Sequence, residues 1–335
     1  MAKSSVRQAL VRAPISRVWH RFLGGRATIF LLHRFHTGQP RHDGESVDGL
    51  RSTLEAMRRE RYELAGLEDV VARLREGAPF SRPTVAFTID DGYRDFLELG
   101  ADVFAAYDCP ATVFLATGFL DGDVWLWWDQ VDWILQSAPR GTVEWALGSG
   151  GKLDLGPKGQ RLGLAERLWE DCKRVGSKRR QAAIQELAEE CGLQVPETPP
   201  ADFAPLSWDE VRTLEGRGFT FGPHTVSHPV LARLDDATSA SEIAGSWKRV
   251  IEEVATPIPI FAYPNGKAGD FGEREIETLA EQGLIAAVTT EQAYAGPERA
   301  VGTGAFRIPR FDYPGDPDFA LQITSGLEDL VRRVR

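Results

Sequence analysis

Cysteine is scarce in this sequence, with three residues in a chain of 335. Cys109, Cys172 and Cys191 are odd in number and share no Cys-x-x-Cys spacing, so we expect neither a disulfide framework nor a cysteine-based metal site. This usage of cysteine is typical of a reducing compartment. The sequence therefore predicts a cytoplasmic protein.

Long apolar runs are also missing. No stretch approaches the roughly 18 apolar residues that a membrane-spanning helix needs. The segment 1–25 is basic, but it has no continuous apolar core followed by a small-residue cleavage site, so no signal peptide is predicted. Its apolar and arginine residues interleave, which predicts either a helix packed on its own domain or peripheral contact with the anionic inner face of a membrane.

Positive charge is not in excess, because the formal net charge is −10. Basic residues cluster only in the amino-terminal segment and in "KRVGSKRRQ" (173–181), so nucleic acid is not an expected partner. Hydrophobic residues make up 42% and charged residues 26% of the chain, which excludes a disordered or fibrous protein. The oligomeric state stays open.

Short apolar segments recur along the chain and alternate with amphipathic stretches. The apolar segments are 27–32, 84–89, 111–116, 218–222, 258–263 and 284–289, and the amphipathic stretches are 46–62, 93–108 and 237–254. Strands separated by helices of this length indicate repeated βα units, hence an α/β fold with a parallel sheet or barrel. In such folds the active groups collect at the carboxyl ends of the strands.

The alternation breaks between residues 120 and 206. This segment is rich in tryptophan and glycine and in charged helical stretches, has no clear strand, and ends at the proline-rich stretch 195–205. We interpret the whole chain, 1–335, as a single catalytic domain that carries a mostly helical insertion at 120–206.

Two of the six histidines, His224 and His228, lie four positions apart in "FGPHTVSHPV", directly after a predicted strand. If the backbone turns helically there, both side chains lie on one face with Cβ atoms about 6 Å apart. Two imidazoles so placed are able to bind one metal ion. For an isolated His-x-x-x-His, a structural pair is the alternative interpretation.

Two adjacent carboxylates, Asp90 and Asp91, end the apolar segment 84–89. Asp-Asp-Gly is typical of a turn, but neighbouring anions at the end of a buried strand repel each other unless a cation or hydrogen bonds compensate. One carboxylate on a metal ion together with the two imidazoles leaves coordination positions open, as in a catalytic zinc site. The ion lowers the pKa of water toward ~7, and the second carboxylate accepts the proton. Hydrolysis of a carbonyl group is the predicted chemistry.

Three segments together resemble a known family. "TIDDG" (88–92), "HTVSH" (224–228) and "FAYPNG" (261–266) are similar, in this order, to the three motifs of the polysaccharide deacetylases, carbohydrate esterase family 4. The similarity extends from about 84 to 310, with "LLHRF" (31–35) resembling an upstream segment of one subgroup. The resemblance implies a distorted (β/α)7 barrel, a zinc ion or another divalent ion such as Co²⁺ or Mn²⁺, and removal of an acetyl group from an N-acetylated sugar.

Carried onto matching positions, the resemblance implies that Asp90 is the general base and that Asp91, His224 and His228 are the metal ligands. The backbone NH of Asn265 would then help to stabilise the oxyanion, an interaction typically worth several kcal/mol.

The sequence departs from the family in its third motif and near its carboxyl terminus. Many members have an arginine before the proline of the third motif, where this chain reads Phe261, Ala262, Tyr263, and a tyrosine after it, where this chain has Asn265. A carboxy-terminal Leu-x-Leu-His motif, which would supply the general acid, is absent. We predict that His33 replaces this acid and that Arg310 pairs with Asp90.

Substrate contacts are predicted from the third motif and from the insertion. Tyr263 and Asn265 are expected to contact the sugar. Tryptophans of the insertion form either an apolar platform for a sugar ring or part of a core: Trp125, Trp127, Trp128 and Trp133. Asp129 is predicted to bind a sugar hydroxyl.

Three rival functions stay open. An iron(II) oxygenase also uses two histidines and one carboxylate, although usually on a β-sandwich. A glycosidase using Asp90 and Asp91 is disfavoured because adjacent residues do not readily reach the roughly 5 to 9 Å separation that this mechanism needs. A noncatalytic carbohydrate-binding relative is disfavoured because the base and all three ligands are present. The identity of the sugar, polymeric, lipid-linked or nucleotide-linked, is not predicted.

Overall fold

The fold is described from a computed structural model that covers residues 25–38, 44–158 and 161–326. Its strands are β1 (Thr28–Leu32), β2 (Phe35–His36), β3 (Glu45–Ser46), β4 (Glu63–Leu64), β5 (Thr84–Ile89), β6 (Ala111–Leu115), β7 (Gly141–Trp145), β8 (Gly151–Leu155), β9 (Thr220–Pro223), β10 (Ile260–Ala262), β11 (Ala286–Val288) and β12 (Phe311–Asp312).

The helices surround these strands or belong to the segment 120–206. They are α1 (Val47–Arg59), α2 (Leu67–Glu76), α3 (Ala101–Ala106, entered through a π-helical turn at Phe96–Gly100), α4 (Thr117–Leu120), α5 (Trp127–Ser137), α6 (Leu162–Lys173), α7 (Ser177–Glu190), α8 (Trp208–Glu215), α9 (Asp236–Glu253), α10 (Glu273–Glu281) and α11 (Pro317–Thr324). Short 3₁₀ turns lie at Ala201–Phe203, Leu231–Arg233, Pro297–Arg299 and Gly302–Phe306.

A parallel sheet forms most of the barrel wall. Its strands follow the order β12-β1-β5-β6-β9, and β4 pairs with the first two residues of β5. Every residue of β1, β5 and β6 is buried. Strands covered on both faces need apolar side chains at successive positions, which explains the continuous apolar runs in the sequence.

The wall continues from β9 through β10 and β11 back to β12. The Ile258 NH, just before β10, donates to the Phe221 carbonyl of β9 at 2.9 Å, and β10 pairs with β11 in parallel. The Ile308 NH donates to the Ala287 carbonyl at 3.0 Å, and the same segment runs on into β12 beside β1. In the described part of the chain the ring therefore comprises β1, β5, β6, β9, β10, β11 and the segment 308–312, and the predicted distorted (β/α)7 barrel is confirmed.

Local sequence signals set several of the outer helices. Ser46 begins α1 by accepting a hydrogen bond from the Gly49 NH, and Asp235 begins α9 in the same way from the Thr238 NH. All six predicted strands and the three predicted helices are confirmed, with ends shifted by a few residues.

The segment 120–206 has its own apolar core, in which side chains of α5, α6 and α7 pack against β7 and β8. The expectation that this segment has no strand is wrong, because β7 and β8 form an antiparallel hairpin. Val143 and Trp145 point inward from β7 while their neighbours are exposed, the alternation expected of a strand with one covered face. The division into one catalytic domain with an insertion stays a prediction.

The proposed roles of the amino-terminal segment, as a packed helix or as a membrane contact, concern residues that lie mostly outside the described ranges. Within those ranges, the helices are all too short or too polar to cross a bilayer.

Candidate active site

The predicted site residues collect at one end of the barrel. Asp90 and Asp91 follow β5, His224 follows β9, and His33 follows β1. They border a single cavity of about 770 Å³ that also reaches the insertion. This is the end where the carboxyl termini of parallel strands bring loop side chains together.

Three of these side chains form a compact cluster. The Asp91 Oδ1 atom lies 3.4 Å from His224 Nε2 and 3.4 Å from His228 Nε2. One ligand atom from each residue lies within 4.8 Å of the other two, and all three residues are buried. Among the described residues, Asp91 Oδ1 has no hydrogen-bond partner. A buried carboxylate oxygen without a partner is costly, so the donor set fits a divalent cation.

Both imidazoles are suited to bind such a cation through Nε2. The His224 Nδ1–H donates to the Ala262 carbonyl at 2.7 Å, because a carbonyl is only an acceptor, and this directs Nε2 at the cluster. Burial lowers the pKa of His224, but Asp90 and Asp91 together outweigh this and raise it, so a cation binds there by displacing a proton from Nε2. Burial lowers the pKa of His228 to about 3, with Asp91 opposing this effect, so the ring is neutral at physiological pH. Neutral imidazole is the form that a metal ion requires.

The backbone around the cluster is unusual. In the described part of the chain, six residues other than glycine have positive φ, and four of them are Asp91 (74°), Thr225 (65°), His228 (55°) and Asn265 (60°). Each such residue costs on the order of 1 kcal/mol or more and persists only where surrounding contacts impose it. The pair His224 and His228 is therefore presented by an irregular loop, and the helical turn considered from the sequence is wrong.

A carboxylate from α9 holds this loop in place. Glu242 accepts hydrogen bonds from the backbone NH groups of Val226 and Ser227, both at 2.8 Å, and from the Ser227 hydroxyl at 2.5 Å. Thr225 Oγ1 accepts from the His228 NH at 3.0 Å. Sequence reasoning missed Glu242, which lies 14 positions beyond His228 on a different element and carries no motif.

Asp90 lies beside this cluster, with its Oδ2 atom 3.9 Å from His224 Nε2, and pairs with Arg310. The guanidinium donates to both carboxylate oxygens, at 2.7 and 2.8 Å, and Arg310 is completely buried. It also donates to Thr88 Oγ1 and to the Thr289 carbonyl, each at 3.0 Å. Burial raises the pKa of Asp90, but the charge and hydrogen bonds of Arg310 together with the nearby His224 outweigh this and hold the pKa below its usual range. Asp90 is therefore an anion beside the ligand cluster.

Of the remaining predicted residues, some line the cavity and one does not. His33 is exposed and lines it, as does Asn265. The left-handed conformation of Asn265 belongs to a tight turn in which the Gly266 NH donates to the Pro264 carbonyl at 2.7 Å. Tyr263 does not line the cavity. Its ring is buried and stacked on Phe271 at 3.7 Å, so the position gives no support to the predicted sugar contact.

The tryptophans divide between cavity and core. Trp127 and Trp128 line the cavity, whereas Trp125 packs against Trp133 and Phe203 away from it. A platform made of all four tryptophans is therefore wrong. The direction of each ring depends on the residue at which α5 begins. The spacing of the tryptophans in the sequence did not predict that residue.

Trp128 contacts a predicted metal ligand. Its ring meets the His228 ring edge to face, with centroids 4.6 Å apart. The Trp128 Nε1–H donates to the Tyr93 hydroxyl at 2.8 Å, which in turn donates to Asp129 Oδ2 at 2.7 Å. Burial raises the pKa of Asp129 to about 7. The segment 120–206 thus contacts the ligand cluster through Trp128. The sequence predicted only a sugar contact for Asp129 and not this series of hydrogen bonds.

Comparison with known proteins gives one family match. Residues 176–284 match the family model described as polysaccharide deacetylase, a range that holds both histidines of the cluster and Asn265. The sequence matches none of the curated proteins.

Solved structures share the fold at low sequence identity. The Streptococcus pyogenes deacetylase PplD, solved with acetate, has a TM-score of 0.59 and 18% identity, with 89% of this chain and 98% of that chain covered. IcaB from Ammonifex degensii has a TM-score of 0.58 and 14% identity, with coverages of 90% and 97%. A de-N-acetylase from Aggregatibacter actinomycetemcomitans has a TM-score of 0.54 and 12% identity, with coverages of 89% and 99%.

Proposed function

We propose that this chain is a member of the polysaccharide deacetylase family and a metal-dependent hydrolase that removes the N-acetyl group from an N-acetylated amino sugar. The family match supports a carbohydrate deacetylase. The observation that carries the finer proposal is the convergence of Asp91, His224 and His228, which all line the cavity, around one point.

Zinc suits this set of two imidazoles and one carboxylate, and Co²⁺ or Mn²⁺ are alternatives. When bound, such an ion polarises the acetyl carbonyl and makes water acidic enough to be deprotonated near neutral pH. The other steps belong to side chains of the chain itself.

Asp90 is proposed to accept the proton of the attacking water. Both of its oxygens accept from Arg310, but each carboxylate oxygen has a second lone pair for this task. Arg310 orients the carboxylate and keeps it ionised. In other hydrolases a buried third group likewise orients the catalytic base.

The leaving amine needs a proton, and His33 is the proposed donor because it is exposed on the cavity wall at the end of β1. The backbone NH of Asn265 is proposed to stabilise the oxyanion, and Trp128 and Asp129 to contact the sugar. If His33→Ala keeps near-normal turnover at unchanged metal content, His33 is not the proton donor.

A cytoplasmic location is part of the proposal. It is supported by the three cysteines, all of which are buried and free.

Acetate release from a panel of N-acetylated sugars, measured together with metal content, tests the function. We expect release by the metal-loaded chain, loss after chelation, recovery on adding Zn²⁺, and loss in Asp90→Asn with metal retained. Iron content with dependence on an oxo-acid cosubstrate would support the oxygenase instead. Sugar binding without acetate release would support the noncatalytic relative.

A further inference from the structure

Four basic residues border the cavity on the side of the insertion: Lys173, Arg174, Arg233 and Lys267. We call them the basic rim. Lys173 and Arg174 end α6, Arg233 follows the loop of His228, and Lys267 follows the turn of Asn265. Three separate segments thus bring positive charge to one place in a chain whose formal net charge is −10.

Carboxylates also line the cavity, and Glu170 and Asp270 are the ones next to rim residues in the chain or in space. Glu170 bonds Lys173 at 2.9 Å, and its pKa is lowered first by Lys173 and then by the charges of Lys267 and Arg174. Arg174 also lies 3.8 Å from Asp171, so in the described part of the chain two carboxylates pair with two of the four rim cations. Asp270, also at the cavity, accepts from the backbone NH of Lys267 at 2.9 Å.

Arg233 faces another cation. Burial lowers the pKa of Arg180, and the charge of Arg233 lowers it further, which places the two guanidinium groups near each other. Within the described ranges, no carboxylate lies within ion-pair distance of Arg233. Arg180 itself lies over the ring of Trp127, which lines the cavity, with 4.9 Å from its guanidinium carbon to the ring centroid.

The rim is close to the site of the chemistry along the chain. Lys267 lies two positions after Asn265, and Arg233 lies five positions after His228. Like charges held together at the mouth of a cavity attract an anion and favour substrates that carry one. A neutral sugar would gain nothing from this arrangement.

We propose that the basic rim binds an anionic substituent, a phosphate or a carboxylate, on the N-acetylated sugar, so that the substrate is an anionic amino sugar and not a neutral glycan. This inference rests on the proposed deacetylase function. Arg233 and Lys267 are the side chains assigned to the anion, because both are exposed and neither forms a side-chain ion pair with a described residue.

The test compares acetate release from three substrates: an N-acetylated hexosamine 1-phosphate, an N-acetylated sugar with a carboxylate, and the neutral methyl glycoside. We expect kcat/KM to be roughly tenfold higher for at least one anionic substrate, since a charge-assisted contact is worth about this much. Arg233→Gln and Lys267→Gln should remove most of that preference, lowering kcat/KM for the anionic substrate severalfold more than for the neutral one. The control is Lys248→Gln, an exposed lysine of α9 that does not border the cavity.

The outcomes separate the two proposals. Equal kcat/KM for all three substrates, or an equal effect of the rim variants on charged and neutral substrates, would overturn the rim and leave the deacetylase intact. Release from none of them would count against the deacetylase as tested. The rim is then tested by calorimetry of inorganic phosphate binding to the metal-loaded chain. Several-fold weaker binding in Arg233→Gln than in Lys248→Gln supports the rim, and equal binding refutes it.

Discussion

Replacing Arg310 by methionine should destabilise the protein strongly. The guanidinium is fully buried and makes four hydrogen bonds, two to Asp90, one to Thr88 and one to the Thr289 carbonyl. These partners lie on or directly after β5 and directly after β11, and Arg310 itself directly precedes β12, so the side chain joins three strands of the barrel. Methionine fills a similar volume but leaves the carboxylate of Asp90 as an unpaired charge.

The magnitude follows from the burial of both partners. Breaking a buried ion pair by removing one member costs about 3 to 5 kcal/mol, because the remaining charge stays out of water. That is a large part of the 5 to 15 kcal/mol by which a typical domain is stable. Asp90→Asn alone should cost a similar amount through the stranded guanidinium. The double variant removes both charges, so its cost should fall below the sum by at least about 2 kcal/mol.

Urea unfolding of the metal-free chain at neutral pH measures all four corners of this cycle. Arg299→Met is the matched control, because Arg299 pairs with Glu291 while both side chains are 43% exposed. Its cost should be about 1 kcal/mol or less. A cost below about 1 kcal/mol for Arg310→Met, or strictly additive effects in the cycle, would refute the pairing that orients the proposed base.

Three further variants probe the surroundings of the ligand cluster. Trp128→Ala should weaken Zn²⁺ binding roughly tenfold in chelator competition, since it removes the ring that supports His228, while Trp128→Phe should bind nearly as tightly; equal affinities for both variants would contradict this. Asp129→Asn should be more stable than the parent at about pH 9 and should lose most of that advantage by about pH 4, measured by urea unfolding without metal. The sign follows because the pKa of about 7 in the folded chain lies above that of a carboxyl group in the unfolded chain, so the parent loses stability as the pH rises between the two. Glu242→Gln should lower metal affinity about tenfold by loosening the histidine loop, whereas Glu252→Gln, exposed on the same helix, should not; the same affinity in both would remove the bracing role.

The barrel strands were predictable because they are buried on both faces. Such strands are continuous apolar runs, and the residues that follow them, among them Asp90, Asp91 and His224, reach the same end of the barrel by topology alone. The spacing of His224 and His228 indicated a shared metal, but it did not predict the loop geometry. That geometry depends on left-handed residues and on a distant glutamate, neither of which leaves a local signal.

The insertion was harder to predict, and its errors share a cause. Trp125 and Trp128 are three positions apart, yet one lies in a core and the other at the cavity, because their directions depend on how α5 packs on the barrel. In β7 the apolar residues Val143 and Trp145 alternate with polar neighbours, which is a strand signal. A strand of five residues, however, gains its stability from the helices packed on it. Only the assembled fold supplies such contacts.

The central claim is that Asp91, His224 and His228 bind one divalent cation, with Asp90 beside it and unbound. Zinc titration of the metal-free chain, followed by calorimetry, measures this directly. The account predicts one ion per chain in the parent and in Asp90→Asn, and loss of high-affinity binding in His224→Ala. Tight binding that survives His224→Ala, or a parent chain that binds no zinc, cobalt or manganese, would contradict it.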